Sequence, residues 1–316
     1  MRAAVIEGYG EAPVLREVPD PEPAEGLILV EVRAAGLNPV DLRIASGRFY
    51  AGSPPVPYVP GSEGVGRVLA GGRLEPGSRV YFEARPGQGS FAQKSAAQDS
   101  AAIELPPGVD DGTAVALGVS GLAAWLGLER GGLKAGETVL VLGASGVLGL
   151  IAVQAARLMG AKHVVAAGRD RGRLEQARER GADAIVELGP GKELAEAFRK
   201  ASGGGVDVVI DPVWGEPAAA AVEALNRFGR LVQIGQSAGA EATLTSSSIR
   251  GRSLAILGYT TYAVPQEQKA AAYRRLVQEA AAGRITVESE AVPLEKVQDA
   301  WSRQPRSPHR KLVLVP

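Results

Sequence analysis

The chain has 316 residues, of which 45% are hydrophobic and 22% charged, a composition typical of a globular protein large enough for two domains. Its 35 basic residues equal its 35 acidic ones, which argues against nucleic acid or an anionic membrane as a partner. Cysteine is absent, which excludes disulfides and thiolate zinc sites, and the two histidines, His163 and His309, have no partner at metal-ligand spacing. We therefore predict a cytoplasmic protein that binds a small molecule and no metal.

Three regions differ in their patterns. Residues 1–116 contain short β-rich segments such as LILVEVRAA and SRVYFEA, separated by proline and glycine. Residues 117–260 contain six short apolar runs that alternate with helical stretches, in order TVLVLG, HVVAAG, DAIVEL, VDVVID, RLVQIG and LAILGY. Such alternation predicts a doubly wound parallel sheet. Residues 261–316 contain a predicted helix and a closing strand, RKLVLVP, which could rejoin the first region.

The first of the six runs ends in three glycines, Gly143, Gly146 and Gly149. A glycine turn from a strand into a helix collects backbone N–H groups and the positive end of the helix dipole, which together bind an anion. Gly143 permits the turn, Gly146 permits the approach of a phosphate, and Gly149 permits close packing of the helix on the strand. We therefore predict the pyrophosphate site of a dinucleotide. The alternative is a turn packed tightly for structural reasons alone.

The second run ends where an acidic residue would bind the ribose of NAD. Gly168 stands at that position, and Arg169 and Arg173 follow. The absence of an acid at this position and the presence of guanidinium groups favour NADPH over NADH, because guanidinium groups bind the 2′-phosphate of NADPH bidentately. Two alternatives stay open: the arginines are surface charge, and Asp170 either turns toward the ribose or caps the next helix.

Six motifs in order carry a resemblance to a known family: AAGLNPVDL, VPGSEGVGRV, GLAAW, GASGVLG, GRLVQIGQSAG and the closing RKLVLVP. The chain resembles the medium-chain dehydrogenase/reductase superfamily, within it the zinc-independent quinone oxidoreductases related to zeta-crystallin. The resemblance implies an α/β fold in which a GroES-like β-rich catalytic domain, formed by both chain ends, is combined with a Rossmann domain. It also implies a homodimer or homotetramer.

The resemblance assigns further site residues. Zinc-dependent members carry cysteine where this chain has Asn38 and histidine where it has Ser62, followed by the glutamate matched by Glu63. In quinone reductases the equivalents of Asn38 and Asp41 lie beside the nicotinamide, where Asn38 would donate to an oxyanion and Asp41 would orient Asn38 or a water. The alternative is that both residues fix their loop through local backbone bonds.

For the cofactor, the resemblance supports Arg173 as a 2′-phosphate ligand and Arg310 as a pyrophosphate ligand. The full set of predicted cofactor residues is Gly143, Ser145, Gly146, Val147, Leu148, Gly149, Gly168, Arg169, Arg173, Gly235, Gln236 and Arg310. The chain departs from its relatives at Ala123, where threonine is common, and at Ile210, where some quinone reductases have tyrosine.

The predicted reaction is hydride transfer from NADPH to a quinone. The first alternative is reduction of an α,β-unsaturated carbonyl or acyl thioester, which needs an acid to protonate the α carbon, with Tyr50 as the candidate and Tyr58 as a second. The other alternative is a protein that binds NADPH without catalysis. Tyr259 is predicted either to face the substrate or to lie in the core.

Overall fold

The computed structural model describes residues 1–189 and 193–316. The chain divides into a split unit, residues 1–119 with 266–316, and a central unit, residues 120–265. The predicted boundaries, after residues 116 and 260, are three and five residues earlier than these.

The first part of the chain is rich in β-strands, and in its central part strands alternate with helices. The strands within the described residues are β1 (Arg2–Val5), β2 (Val14–Glu17), β3 (Leu27–Gly36), β4 (Glu63–Ala70), β5 (Arg79–Glu83), β6 (Lys94–Gln98), β7 (Ile103–Glu104), β8 (Thr138–Leu142), β9 (His163–Gly168), β10 (Ala184–Glu187), β11 (Val206–Asp211), β12 (Leu225–Gln233), β13 (Ala255–Gly258), β14 (Ser289–Pro293) and β15 (Lys311–Val315). The α-helices there are α1 (Pro39–Ala45), α2 (Asp111–Ala116), α3 (Leu122–Arg130), α4 (Val147–Leu158), α5 (Arg171–Glu179), α6 (Leu194–Ala201), α7 (Gly215–Ala224), α8 (Ser246–Arg252), α9 (Gln266–Ala281) and α10 (Val297–Arg303).

The split unit is built on one largely antiparallel sheet in the order β14-β15-β3-β4-β5-β7, with β6 also paired to β3 and with β1 and β2 forming a separate pair. The closing strand β15 lies antiparallel to β3, as the sequence predicted for a tail that rejoins the first region. Val313 pairs with Gly36 in this register. The register therefore brings the first residue of β15, Lys311, close to the loop that follows β3.

The central unit contains the predicted parallel sheet, in the order β10-β9-β8-β11-β12-β13. All five pairings in it are parallel. Of its inner strands, β8 and β9 are nearly continuous apolar runs, as in a sheet that helices cover on both faces. The sequence prediction of six strands is confirmed. The strand order reverses at β8, and ligands bind beyond the carboxyl ends of strands at such a point.

A long apolar helical stretch runs from Asp111 to Arg130 through a kink at Gly118, whose φ of −65° and ψ of −111° are not helical. By length and composition this stretch could cross a membrane, but 72% of its most apolar 18-residue window is buried in the protein. Packing within the fold therefore accounts for its apolar composition.

Candidate functional site

The glycine turn of the central unit joins β8 to α4. Gly143 has a φ of +65°, which L-residues with a side chain rarely adopt, so glycine is required there. Gly146 is the N-cap of α4 and has no side chain with which to cap the helix. Val147 and Leu148 follow in the first turn, where backbone N–H groups have no partner within the helix. The turn therefore has the chemistry of an anion site.

The other two glycines of the turn have different surroundings. A Cβ on Gly149 would lie 2.4 Å from the carbonyl oxygen of Gly143 and 2.6 Å from Ala144 Cα, so helix and strand approach too closely for any side chain. A Cβ on Gly146 would meet only the Gly143 oxygen, at 3.5 Å. The backbone is thus open at Gly146, as the approach of a phosphate requires, and closed at Gly149.

The second predicted phosphate region lies where β9 ends. Gly168 packs against the buried Ser145, whose Oγ would be 2.9 Å from a Cβ at this position. Asp170 caps α5 by accepting from the backbone N–H of Arg173 at 3.0 Å, so its interpretation as a helix cap is confirmed. Arg173 Nη1 donates to Gln176 at 2.8 Å, and Arg169 is exposed. Guanidinium groups therefore flank a strand end that carries no acid.

The neighbouring strand β11 ends in Asp211, which is fully buried. Its Oδ1 accepts from the backbone N–H groups of Val213 and Trp214, at 2.9 and 2.8 Å, while its Oδ2 has no hydrogen-bond partner among the described residues. Burial raises the pKa of Asp211 to about 6, against the lowering effect of the two backbone bonds.

The predicted residues Gly235 and Gln236 follow β12. The N–H of Gly235 donates to the Asp211 carbonyl at 3.3 Å, and a Cβ on Gly235 would lie 2.7 Å from the oxygen of Pro212. Glycine is therefore required for this close approach, whereas Gln236 is exposed. Ile210, which stands where some relatives have tyrosine, is fully buried in the core.

A cluster of buried charges occupies the split unit at the start of β4 and β15. The side chains of Glu63 and Lys311 are 0% and 1% exposed, and Lys311 Nζ lies 2.7 Å from Glu63 Oε1. The same ammonium donates to Asn38 Oδ1 at 2.5 Å. Glu63 Oε2 accepts from the backbone N–H of Val119 and from the Tyr81 hydroxyl, at 2.5 and 3.2 Å. Every polar group of this charge cluster therefore has a partner within the protein.

Asn38 is held inside this cluster. Its amide nitrogen donates to Glu63 Oε1 at 2.8 Å and to the carbonyl of Gly36 at 3.0 Å. Since these bonds and the one from Lys311 use both amide hydrogens and the oxygen, donation to an oxyanion would require one of them to break. The sequence analysis did not predict the bonds from Asn38 to Glu63 and Lys311.

Asp41 stabilises the start of α1. Its Oδ2 accepts from the backbone N–H of Asn38 at 2.8 Å, and its Oδ1 accepts from the N–H and hydroxyl of Ser62 at 2.9 and 2.6 Å. Only the bond from Asn38 is a local backbone bond of the kind named in the structural alternative, because Ser62 is 21 residues away along the chain. Burial raises the pKa of Asp41 to about 6, while the bonds from Ser62 and Asn38 and the charge of Lys311 oppose this rise.

The charge cluster does not fit a zinc ion. Asn38 and Ser62 offer an amide and a hydroxyl at the two positions where the resemblance implies the thiolate and imidazole of zinc-dependent members. The ammonium of Lys311 already bonds to both Asn38 and Glu63, so a divalent cation would meet a fixed positive charge. No group of three or more potential metal ligands is found in the described part of the chain.

The candidate aromatic residues have contrasting exposure. The Tyr50 side chain is 75% exposed and its ring centroid lies 4.4 Å from that of Phe49. Tyr58 is 6% exposed and its hydroxyl has no hydrogen-bond partner among the described residues; burial raises its pKa to about 12. Tyr259 is half-buried and its hydroxyl donates to the Leu122 carbonyl at 3.4 Å. Ala123 is buried.

Arg310 lies in the split unit immediately before β15. Its side chain is 43% exposed, and its Nη1 is 3.8 Å from Glu290 Oε2. The same oxygen accepts from Arg303 Nη2 at 2.7 Å. The structure therefore places Arg310 among other arginines of the split unit.

Comparison with known proteins gives consistent results for both halves of the chain. The profile of the family described as "Alcohol dehydrogenase GroES-like domain" matches residues 24–134, and that of "Zinc-binding dehydrogenase" matches residues 147–279. Quinone oxidoreductase from Lama guanicoe is 32% identical over 267 residues, which cover 80% of each chain. Acryloyl-coenzyme A reductase from Metallosphaera sedula is 31% identical over 266 residues, 74% of this chain and 76% of the relative.

Solved structures agree with these relatives. The structure of Escherichia coli quinone oxidoreductase complexed with NADPH has a TM-score of 0.89 to this chain, with 25% sequence identity and full coverage of both chains. The predicted GroES-like and doubly wound parts are therefore confirmed as the fold of this protein.

Proposed function

Because the chain belongs to the quinone oxidoreductase family of the medium-chain dehydrogenases/reductases, we propose that it transfers hydride from NADPH to a quinone without a metal. The open backbone at Gly146, before a helix that has no capping side chain, is the observation that carries the proposal, because it fits a pyrophosphate. The relatives named quinone oxidoreductase support the choice of acceptor.

The proposed cofactor residues divide by the group that they would hold. The turn from Gly143 to Gly149 would hold the pyrophosphate, and Arg169 and Arg173 would hold the 2′-phosphate beside Gly168. Bound NADPH supplies a hydride from its nicotinamide ring. Gly235 supports this region by allowing close backbone packing on Pro212.

The residues of the charge cluster would hold the catalytic loop in place. Lys311 and Glu63 fix the amide of Asn38, and Asp41 fixes the first turn of α1. A quinone accepts hydride at carbon without a Lewis acid, so the poor fit of this cluster to zinc is consistent with such an acceptor.

A second acceptor class is an α,β-unsaturated carbonyl or acyl thioester, supported by the acryloyl-coenzyme A reductase relative. Its reduction needs a proton at the α carbon. We propose Tyr50 as the donor, since its exposed hydroxyl can exchange its proton with solvent, whereas the hydroxyl of Tyr58 is buried and its pKa is raised to about 12.

The decisive experiment measures NADPH oxidation with 1,4-benzoquinone, 9,10-phenanthrenequinone and a panel of enones. Quinone reduction at an ordinary rate of about 1 per second or more is the expected result. Failure to reduce any acceptor while NADPH binds tightly would favour a binding protein without catalysis.

The role of Tyr50 is tested separately with Tyr50→Phe. This variant is expected to slow enone reduction about 100-fold and to leave quinone reduction unchanged, because only the enone needs an enzyme-bound acid. Tyr262→Phe, which removes another exposed hydroxyl, is the matched control.

We also propose a cytoplasmic homodimer or homotetramer. The strand β13 is the end of the described central sheet, and Ile256 on it is 36% exposed, so pairing through this edge is chemically favourable. Light scattering of the purified protein would test the assembly, and a monomeric mass would contradict it.

A further inference from the structure

The glycine turn of the central unit is one residue longer than the common dinucleotide fingerprint. In that fingerprint a single residue separates the first two glycines, whereas here Ser145 stands at the second glycine's position and the glycine follows as Gly146. Ser145 is 8% exposed, so the turn directs its side chain into the protein. A pyrophosphate needs only the backbone of the turn, and the buried side chain of Ser145 therefore requires a separate explanation.

Ser145 packs against the end of β9. A Cβ on Gly168 would be 2.9 Å from Ser145 Oγ and 3.2 Å from Ser145 Cβ. Another neighbour of this Cβ is Leu174 Cδ2, also at 3.2 Å, and Leu174 is fully buried in α5. A side chain at position 168 would therefore have to begin between the Ser145 side chain and a buried apolar one.

Backbone hydrogen bonds hold both sides of this contact in place. The N–H of Ala144 donates to the carbonyl of Ala167 at 2.8 Å, which ties the turn to β9 directly beside Ser145. The carbonyl of Gly168 accepts from the N–H of Leu188 at 2.7 Å. Rotation of the Ser145 hydroxyl could relieve the contact at 2.9 Å, but its Cβ, at 3.2 Å, moves only with the bonded backbone. Glycine is therefore the residue that fits at position 168.

We propose that Ser145 determines cofactor specificity by excluding an acidic residue from position 168. The inference rests on the binding of NADPH at the glycine turn, as in the proposed function. An acid at this strand end would accept from the 2′-hydroxyl of NADH and repel the 2′-phosphate of NADPH. Ser145 and Leu174 fill the space where its side chain would begin, and Leu174 would deprive the carboxylate of hydration. The glycine turn thus favours NADPH together with the Arg169 to Arg173 segment.

The steric part of the inference is tested by Gly168→Ala, which adds the Cβ without a charge. The thermal midpoint of unfolding is expected to fall in the parent protein and to fall much less in Ser145→Gly, where both Ser145 contacts are gone. The matched control is Gly258→Ala. Gly258 ends β13 as Gly168 ends β9, but its Cβ would have no neighbour within 4 Å among the described residues, so the midpoint should not fall.

The specificity part is tested by Gly168→Asp, alone and combined with Ser145→Gly. Fluorescence titration measures the affinity of each variant for NADH and NADPH. With Ser145 in place, the change at position 168 is expected to weaken NADPH binding at least about tenfold without improving NADH binding. In the Ser145→Gly background it is expected to improve NADH binding at least about tenfold over Ser145→Gly alone, because the carboxylate can then accept from the ribose.

Three results would overturn the inference. One is tighter NADH binding by Gly168→Asp with Ser145 in place, and another is no gain in NADH affinity when Gly168→Asp is added to Ser145→Gly. The third is an equal fall in the midpoint of Gly168→Ala in both backgrounds. A single variant Gly168→Asp that does not fold, beside a double variant that folds and binds NADH, would support the inference. If neither folds, the Gly168→Ala comparison decides, because it adds no buried charge.

These outcomes are distinguishable from failure of the proposed function. Reduction of 1,4-benzoquinone by the parent protein with NADPH, together with tighter NADH binding by Gly168→Asp alone, would refute only the role of Ser145. An NADH affinity that depends on Ser145 as expected, with a parent protein that binds NADPH but reduces no acceptor, would instead refute only the proposed hydride transfer.

Discussion

The charge cluster of the split unit and the glycine turn of the central unit differ in how fully their polar groups are hydrogen-bonded. In the split unit, Asn38, Glu63 and Lys311 are buried and satisfy one another with side-chain hydrogen bonds. In the central unit, the helix after the glycine turn begins without a capping side chain, and Asp211 Oδ2 has no partner among the described residues. The closed cluster stabilises a loop, whereas the open turn leaves donors for a ligand. The charge cluster and the glycine turn thus differ in whether they leave polar groups for a ligand.

The largest effect is expected for Lys311→Met, which leaves the carboxylate of Glu63 buried without its counter-ion. We expect the free energy of unfolding to fall by about 3–5 kcal/mol, measured by denaturant titration. Lys94→Met, which breaks the surface pair with Asp20, should cost at most about 1 kcal/mol. Equal losses in the two variants would mean that the cluster does not depend on its buried charge.

Adding Glu63→Gln to Lys311→Met sharpens the same test. The double variant should recover part of the lost stability because the uncompensated charge is gone. No recovery would point to lost packing as the cause of the destabilisation.

Two glycine substitutions separate packing from binding in the open turn. Gly149→Ala should lower the free energy of unfolding by about 1–3 kcal/mol, because its Cβ would collide with backbone atoms of Gly143 and Ala144. Gly146→Ala meets only one atom, at 3.5 Å, and should change stability by less than about 1 kcal/mol while weakening NADPH binding about tenfold. Fluorescence titration of NADPH measures the second effect. Unaltered NADPH affinity in Gly146→Ala would exclude phosphate from this position.

The raised pKa of Asp211 should make the free energy of unfolding depend on pH. Its pKa in the folded protein, about 6, exceeds its ordinary value of 3.8, so the folded state retains a proton that the unfolded state has released. The contribution of Asp211 to the stability of the folded protein is therefore complete below about pH 4 and is lost as the pH rises through 6. The stability of the parent protein relative to Asp211→Asn should fall by about 1–3 kcal/mol across this window.

Asp183→Asn is the matched variant, because the pKa of Asp183 is shifted in the opposite direction from that of Asp211. Burial raises the pKa of Asp183, but bonds from the Val164 N–H and Arg157 outweigh it and keep the pKa below its ordinary value. The contribution of this carboxylate should thus be lost as the pH falls. Denaturation curves from about pH 2 to 7 check both signs, because the Asp183 contribution is lost below about pH 4 and that of Asp211 above it. A flat difference for Asp211→Asn would contradict the first sign.

The smallest expected effect concerns the choice of cofactor. Arg173→Ala should reduce the preference for NADPH over NADH about tenfold, since one charged hydrogen-bond donor to the 2′-phosphate is lost. Arg178→Ala, on the last turn of the same helix and paired with Glu175, is the control. Equal affinities of the parent protein for both cofactors would overturn the assignment of residues 168–173.

Local patterns were sufficient to predict much of the central unit. Each of its six strands contains one of the predicted short apolar runs, although β12 starts five residues before its run RLVQIG. The glycine turn and the Asp170 cap depend on residues at most a few positions apart. The charge cluster was predicted only in part. Asn38, Asp41 and Glu63 were recognised in their motifs, but Lys311 was missed, although a lysine that opens a buried apolar strand was an available signal. Lys311 is 273 residues from Asn38 and 248 from Glu63.

The sequence by itself determined the two-part α/β fold, the glycine turn and the absence of cysteine ligands, because these follow from composition and from patterns that repeat within a few residues. The tertiary structure alone decided that an ammonium group holds Asn38, that the Tyr58 hydroxyl is buried while Tyr50 is exposed, and that Arg303, Arg306 and Arg310 share one pocket. Burial and charge pairing depend on which distant strands meet. The pairing of β15 with β3 brings Lys311 to Asn38 and Glu63, and the bridge between Ile6 and Tyr58 holds that tyrosine in the core.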